Sequence, residues 1–189
     1  MHKSQESYDI TIGGKVYRSL PIVPVSESIK VAFLKLYGDT ELTEVAASEL
    51  STLVSTNVDI LIGPESGGIL LAHLVSSKTN IPYILARKKQ RPNMVQPLSV
   101  GVKTIGTSIS QKLWIDDEDI LKIKGKKVAI IDEVISSGAT VLALTTLVEM
   151  AGGKIVQKLA VATEGEEDLS VSKLIHLPVF ERKTDDVSQ

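Results

Sequence analysis

Residues 127–140, Lys-Val-Ala-Ile-Ile-Asp-Glu-Val-Ile-Ser-Ser-Gly-Ala-Thr, carry the side chains of this sequence best suited to chemistry. Asp132 and Glu133 stand side by side after an apolar run at positions 128–131. Two apolar residues later come Ser136, Ser137, Gly138, Ala139 and Thr140, and residues 141–150 then show helical spacing. A turn of small residues opening a helix collects backbone N–H groups that have no partner inside the helix, in the field of its positive end. Such a turn suits a phosphate. The carboxylates beside it suit sugar hydroxyls, Mg²⁺, or both. Two carboxylates about 5 Å apart repel by roughly 3 kcal/mol at an effective dielectric of 20. A hard dication with oxygen ligands reverses that cost, and Mg²⁺ is the usual companion of a phosphorylated ligand.

Two other readings of the acidic pair compete with this one. An apolar strand ending in Asp-Glu also describes the second nucleotide-binding element of an ATPase, which needs a G-x-x-x-x-G-K-[ST] partner. The Gly-Lys pairs at Gly14, Gly125 and Gly153 are not followed by Ser or Thr, and none has Gly five positions earlier. A purely structural role as helix caps accounts for one carboxylate near a helix N-terminus, but not for two.

Positioning these groups calls for a parallel sheet. The run at 128–131 is rich in β-branched residues and reads as a strand buried on both faces, ending at Asp132 so that both acids reach one ligand. Residues 59–64 form a second buried strand, broken at Gly63-Pro64. The turn Glu65-Ser66-Gly67-Gly68 follows, and a helix over 69–77. Residues 83–87 are a third strand, running into the basic group Lys88, Lys89 and Arg91. Strands alternating with helices imply a parallel sheet, whose ligands gather at the carboxyl ends of the strands. The turn at 63–68, the basic run at 87–91 and the 132–140 segment all fall on that rim.

The remaining elements are simpler. Alternation on both sides of Gly13-Gly14 predicts a hairpin over 8–18. Residues 20–25, interrupted by Pro21 and Pro24, read as an extended edge or loop. A helix is expected over 26–36 and a stronger one over 40–56, where Leu42, Val45, Ala46, Leu50, Leu53 and Val54 share a face. Residues 93–111 are a long polar excursion, read as a mobile two-stranded flap continuing into 112–115. A short acidic helix or turn at 116–123, strands at 154–163 and 173–176, and a frayed tail at 183–189 complete the chain.

Length and charge exclude several classes. A chain of 189 residues fits one domain with a full core. A net charge of −2 leaves no basic footprint for nucleic acid. No apolar run approaches the roughly 18 residues of a membrane span, and the first residues lack the apolar segment of a signal peptide. The expectation is therefore a cytoplasmic protein with neither nucleic-acid nor membrane partners. Without cysteine there is no disulfide, thiolate metal site or cysteine nucleophile. His2, His73 and His176 are scattered and receive no role.

The 127–140 segment resembles the phosphoribosyl pyrophosphate motif of the type I phosphoribosyltransferases, with about a dozen positions matching in order. Similarity extends over residues 8–180 and is closest to the adenine (purine) branch: hairpin and Pro-containing hood, Glu-x-x-Gly turn, Arg-Lys-Lys strand end, flap, motif, then Ala-Gly-Gly at 151–153. The resemblance implies a single α/β domain, a twisted parallel sheet flanked by helices, with a small N-terminal hood at about 8–25 and a flap at about 93–111. It implies transfer of ribose 5-phosphate from phosphoribosyl pyrophosphate to a nitrogen base, with Mg²⁺, in a homodimer. Asp132 and Glu133 would hold the ribose hydroxyls and the metal, and Ser136, Ser137, Gly138, Ala139 and Thr140 the 5′-phosphate. Ser66, Gly67, Arg87 and Lys88 would meet the pyrophosphate, and Val23, Val25 and Ile135 the base.

Three departures from the family pattern matter. The hypoxanthine-guanine branch usually has Asp where this chain has Ser136, which argues against hypoxanthine-guanine activity. Adenine enzymes usually carry Glu-Ala-Arg-Gly where this chain has Glu65-Ser66-Gly67-Gly68, so one Arg is missing. Their flap supplies a Glu that an ungapped match replaces with Thr107, leaving Lys103 and Lys112 as candidate general acids. Orotate or xanthine enzymes remain as alternatives, as does a non-catalytic sensor of phosphoribosyl pyrophosphate. The first 57 residues show no separate DNA-binding unit for such a sensor.

Overall fold

The computed structural model describes residues 6–102 and 111–181. The chain begins with the expected hairpin, β1 (Ser7–Ile12) and β2 (Val16–Pro24). Gly13 and Gly14 both take positive φ, 61° and 64°, as a tight hairpin turn requires. β2 is not the edge that its prolines predict. Its first part pairs with β1 as far as Ser7↔Pro21, and its last part pairs with β3 (Ile29–Ala32) from Ile22↔Ala32 to Pro24↔Lys30. Pro21 contributes only its carbonyl, which accepts from the Phe33 N–H at 2.9 Å.

β3 replaces the helix expected over 26–36. Ser26 Oγ accepts from the Ile29 N–H at 3.1 Å and closes a turn. The β-branched Ile29 and Val31 then alternate along a strand, where such side chains pack well. A partner remote in sequence, β11 (Val179–Glu181), closes the other side of β3, with Val179 opposite Val31. The hood is thus a four-stranded sheet, β1-β2-β3-β11, and draws on both ends of the chain. Helix α1 (Thr40–Leu53) follows, capped by Asp39, whose carboxylate accepts from the Leu42 N–H at 3.0 Å.

The main sheet is built from β4 (Ile60–Pro64), β5 (Tyr83–Ala86), β8 (Lys127–Ile135), β9 (Lys154–Glu164) and β10 (Ser172–Leu177). It is parallel throughout, in the order β10-β9-β8-β4-β5. Helices α2 (Gly68–Thr79) and α4 (Ala139–Met150) leave β4 and β8. Alternate residues along each strand serve opposite faces. Leu61, Ala129, Ile131, Leu159 and Val161 pack with Leu50 of α1 and Leu71 and Val75 of α2. Ile60, Ile62, Val128, Ile130 and Ala160 pack with Leu144, Leu147 and Val148 of α4. That face also receives Val102, Leu113 and Ile115, from the antiparallel pair β6 (Leu98–Val102) and β7 (Gln111–Ile115).

The two-stranded part of the expected flap is therefore formed. The candidates Lys103 and Thr107 lie outside the described residues, as does the 183–189 tail. Helix α3 (Asp117–Ile123) occupies the predicted acidic stretch, capped by Asp116. Among the described residues no helix is long and apolar enough to cross a membrane.

Candidate active site

β4 and β8 lie side by side, but the chain leaves them towards β5 on one flank and β9 on the other. This reversal of strand order opens a crevice at the carboxyl ends of the two strands, the place where open α/β sheets bind ligands. A cleft of about 390 Å³ lies here, lined by Asp132, Glu133, Ser66, Gly67, Lys88, Ser136 and Thr140 among others.

The strand carrying the acids does not stop at Asp132 as expected. Its ladder to β9 continues to Ile135↔Thr163, whereas its ladder to β4 ends at Ile62↔Ile130. Beyond that point one edge of β8 faces the turn at 65–68 instead of a strand, and both carboxylates line the same cleft. The turn presses against them. A Cβ on Gly67 would stand 2.7 Å from Glu133 Oε2 and 3.6 Å from Asp132 Oδ1. One on Gly68 would stand 2.6 Å from Pro64 Cδ and 3.0 Å from the Ile131 carbonyl oxygen. Only residues without a side chain allow this approach. The Glu65–Ser66 peptide is cis.

Asp132 is pushed up to about 7, first by burial and further by the Glu133 charge. Its Oδ1 accepts from the Glu133 N–H at 2.7 Å, and the charge of Lys88 works the other way. Burial also raises Glu133, whose Oε1 accepts from the Leu36 N–H at 2.9 Å. Two crowded hard-oxygen donors of this kind fit a dication. Among the described residues no third acidic or histidine ligand joins them, so the remaining positions would fall to a phosphorylated ligand and water, as is common for Mg²⁺.

On one side of the acids lies the 136–140 loop. Gly138 sits at φ 72° as the N-cap of α4 and makes no side-chain cap. The backbone N–H groups of residues 137–141 find no acceptor among the described residues. They border a small hollow lined by Ser136, Ser137, Gly138, Ala139 and Thr140. An anion there would meet free donors and the helix dipole together.

On the other side, Ser66, Gly67 and Lys88 line the cleft, whereas Arg87 is outside the lining. The Arg87 guanidinium lies 3.7 Å from Glu65 Oε1, which also meets Arg91 at 3.4 Å. Glu65 Oε2 accepts from the Lys88 N–H at 2.8 Å, and that bond, with the two arginines, holds Glu65 below the usual carboxylate range. Glu65 therefore organises the basic run instead of facing the ligand alone. Lys112 stands 5.7 Å over the Trp114 ring and is outside the lining.

The roof comes from the hood. Val25 lines the cleft, together with Phe33 and Leu34; Val134 lies on the β8 side. Val23 faces neither this cleft nor the adjoining one. Ile135 lines the adjoining hollow, with Val25, Val31, Val179 and residues 163–168. Sequence reasoning missed Phe33, which is 50% exposed, because it placed that segment in a helix. It also missed Tyr37, whose pKa is raised first by burial and then by Glu133. Glu164, the last residue of β9, lines both hollows. The run of acids at 164–168 was the available signal for it.

The family described as the phosphoribosyl transferase domain matches residues 39–185. A hypoxanthine/guanine phosphoribosyltransferase of Methanococcus voltae is 30% identical over 139 residues, covering 74% of this chain and 70% of that protein. An adenine phosphoribosyltransferase of Mesomycoplasma hyopneumoniae is 32% identical over 146 residues, covering 77% of this chain and 81% of that one. The crystal structure of adenine phosphoribosyltransferase from Thermoanaerobacter pseudethanolicus shares the fold, with a TM-score of 0.69 at 19% identity over 83% of this chain and 95% of that one.

Proposed function

The chain belongs to the phosphoribosyl transferase family, and we propose that it transfers the ribose 5-phosphate of phosphoribosyl pyrophosphate to a purine base, adenine favoured, releasing pyrophosphate. One observation carries this reading: two half-buried carboxylates stand between an open N–H loop and a turn bordered by Lys88, on a single cleft. That order matches the order of groups in the substrate, phosphate, then sugar diol, then pyrophosphate.

In this reading the 5′-phosphate rests on the N–H groups and hydroxyls of residues 136–140. Asp132 and Glu133 accept from the ribose hydroxyls and would hold Mg²⁺. When bound, that ion neutralises charge on the substrate's phosphate oxygens. Ser66, Gly67 and Lys88 receive the charge that grows on pyrophosphate as its bond to C1′ lengthens, while a ring nitrogen of the base forms the new bond to C1′. Stabilising charge where it develops is the largest contribution such a site makes, and holding the two reactants in line supplies much of the rest. Phe33 and Val134 offer apolar surfaces to a planar base.

Support for adenine is narrower. Relatives bear both the adenine and the hypoxanthine/guanine names, and Ser136 stands where the latter branch usually has Asp. The test is pyrophosphate release from phosphoribosyl pyrophosphate and Mg²⁺ with adenine, hypoxanthine, guanine, xanthine or orotate. Release with adenine, and little with orotate, is expected. No release with any base turns the reading towards a sensor that binds the sugar without transferring it.

A further inference from the structure

Four side chains line both hollows under the hood: Val25, Val31, Ser136 and Glu164. They mark the wall that a base must touch when its sugar lies over the acids and its phosphate on the 136–140 loop. We propose that Glu164 reads the base, selecting a 6-aminopurine over a 6-oxopurine. This rests on the purine transferase reading above and adds to it the group that discriminates between purines.

Glu164 differs from its acidic neighbours. Glu167 pairs with Lys173, and Asp168 pairs with Lys158 and accepts from the Ser170 N–H at 2.8 Å. Glu166 is exposed. Glu164 is half-buried, and its carboxylate has neither a hydrogen bond nor an ion pair among the described residues. Burial alone raises its pKa. A partly desolvated carboxyl without a partner is costly, and here it shares a hollow with the side chains of Val25, Val31, Ile135 and Val179. Its position is fixed, since Thr163 next to it is paired with Ile135 of β8.

The chemistry of the two states favours one partner. An ionised carboxylate only accepts, and a protonated one donates once and keeps an acceptor. The ionised form takes the amine N–H of a 6-aminopurine, whereas the protonated form donates to ring N1 of that base and equally to O6 of a 6-oxopurine, so the selection belongs to the ionised form. A 6-oxopurine turns a carbonyl oxygen towards that ionised carboxylate and sets lone pair against lone pair. A site built around one hydrogen-bonding group rejects the analogue that lacks its partner.

The experiment measures kcat/KM for adenine and hypoxanthine in the wild type, Glu164→Gln and Glu164→Ala, with thermal melts alongside. Wild type should prefer adenine. Glu164→Gln can accept and donate at either edge, so it should raise kcat/KM for hypoxanthine by about tenfold or more, a gain that a folding defect cannot produce. Glu164→Ala should raise the KM for adenine by about tenfold while leaving kcat within about twofold. An adenine-to-hypoxanthine ratio unchanged in Glu164→Gln, or a wild type that prefers hypoxanthine, overturns the role of Glu164 and leaves the transferase reading standing. A wild type that releases pyrophosphate with no base overturns both.

Discussion

β4–α2 and β8–α4 are neighbouring copies of one device, a buried parallel strand turning into a helix at the same rim, and they have opposite interiors. The turn after β8 is open. A Cβ on Gly138 would meet nothing within 4 Å, and the N–H groups beyond it face a hollow. The turn after β4 is closed: Gly67 and Gly68 lie against Glu133, Pro64 and the Ile131 carbonyl. An open helix start attracts an anion by itself. A helix start pressed onto two acids is ready only for a ligand that brings positive charge with it, or spans from the acids to Lys88. One strand-to-helix topology, with Gly67 at φ −58° and Gly138 at φ 72°, would thus serve in the proposed reading as a phosphate seat in one case and as half of a charge-balanced clamp in the other.

The comparison breaks most readily at the acids. The double variant Asp132→Asn/Glu133→Gln keeps the shape of the cleft and removes its charge. It should fold, since neither carboxylate forms an ion pair among the described residues, yet lose at least about 10²-fold in pyrophosphate release. Near-wild-type turnover in a folded double variant would remove the reason for treating the closed turn as part of a clamp.

Glycine substitutions sharpen the contrast between the turns. Gly68→Ala places a Cβ against backbone at 3.0 and 3.1 Å and against the Pro64 ring at 2.6 Å, none of which can rotate away. A loss of about 1–3 kcal/mol is expected from such overpacking. Gly138→Ala has room and suffers only from φ 72°, which costs about 1–2 kcal/mol. Chemical denaturation should rank Gly68→Ala as the more damaging; a reversed order would mean that the closed turn is less tightly held than its distances say.

Legibility in the sequence follows the same divide. The open turn is local, made from consecutive small residues after an apolar strand, and short-range patterns reveal it. The closed turn depends on where β4 stops pairing with β8, which no window of sequence contains. The hood is harder still. Ile29 and Val31 become a strand because Val179 arrives from the far end of the chain, and the spacing of apolar residues over 26–36 alone favoured a helix. Phe33, Leu36 and Tyr37, all close to the cleft, were lost with that misreading. Thr163 was read as the end of its strand, but that it brings Glu164 beside the motif depends on the β8–β9 register.

The acids also leave a signature in stability. Asp132 is raised from 3.8 to about 7 in the fold, so between those values the folded chain binds more protons than the unfolded one. The contribution of Asp132 to the stability of the ligand-free protein then falls as pH rises from about 4 to about 7. The whole shift corresponds to about 4 kcal/mol, which water in the open cleft reduces to about 1–2 kcal/mol. Asp132→Asn should flatten that decline and melt higher than wild type at pH 8. A wild type whose denaturation midpoint is flat across this window would mean that the acid is not held neutral by burial.

The smallest effect is expected at the open turn. In the proposed reading Ser137 adds one hydroxyl to a phosphate seat that already has the backbone N–H groups of residues 137–141 and the dipole of α4. Removing one hydrogen bond from a set of several costs about 1 kcal/mol, so Ser137→Ala should raise the KM for phosphoribosyl pyrophosphate about fivefold and leave kcat close to wild type. Uniform weakening of ground and transition states gives that pattern, because the phosphate is bound throughout the reaction and gains no charge in it. A loss of a hundredfold or more would show that hydroxyls carry the phosphate. The open turn would then be a side-chain site like its neighbour, and the contrast between the two helix starts would reduce to one of packing alone.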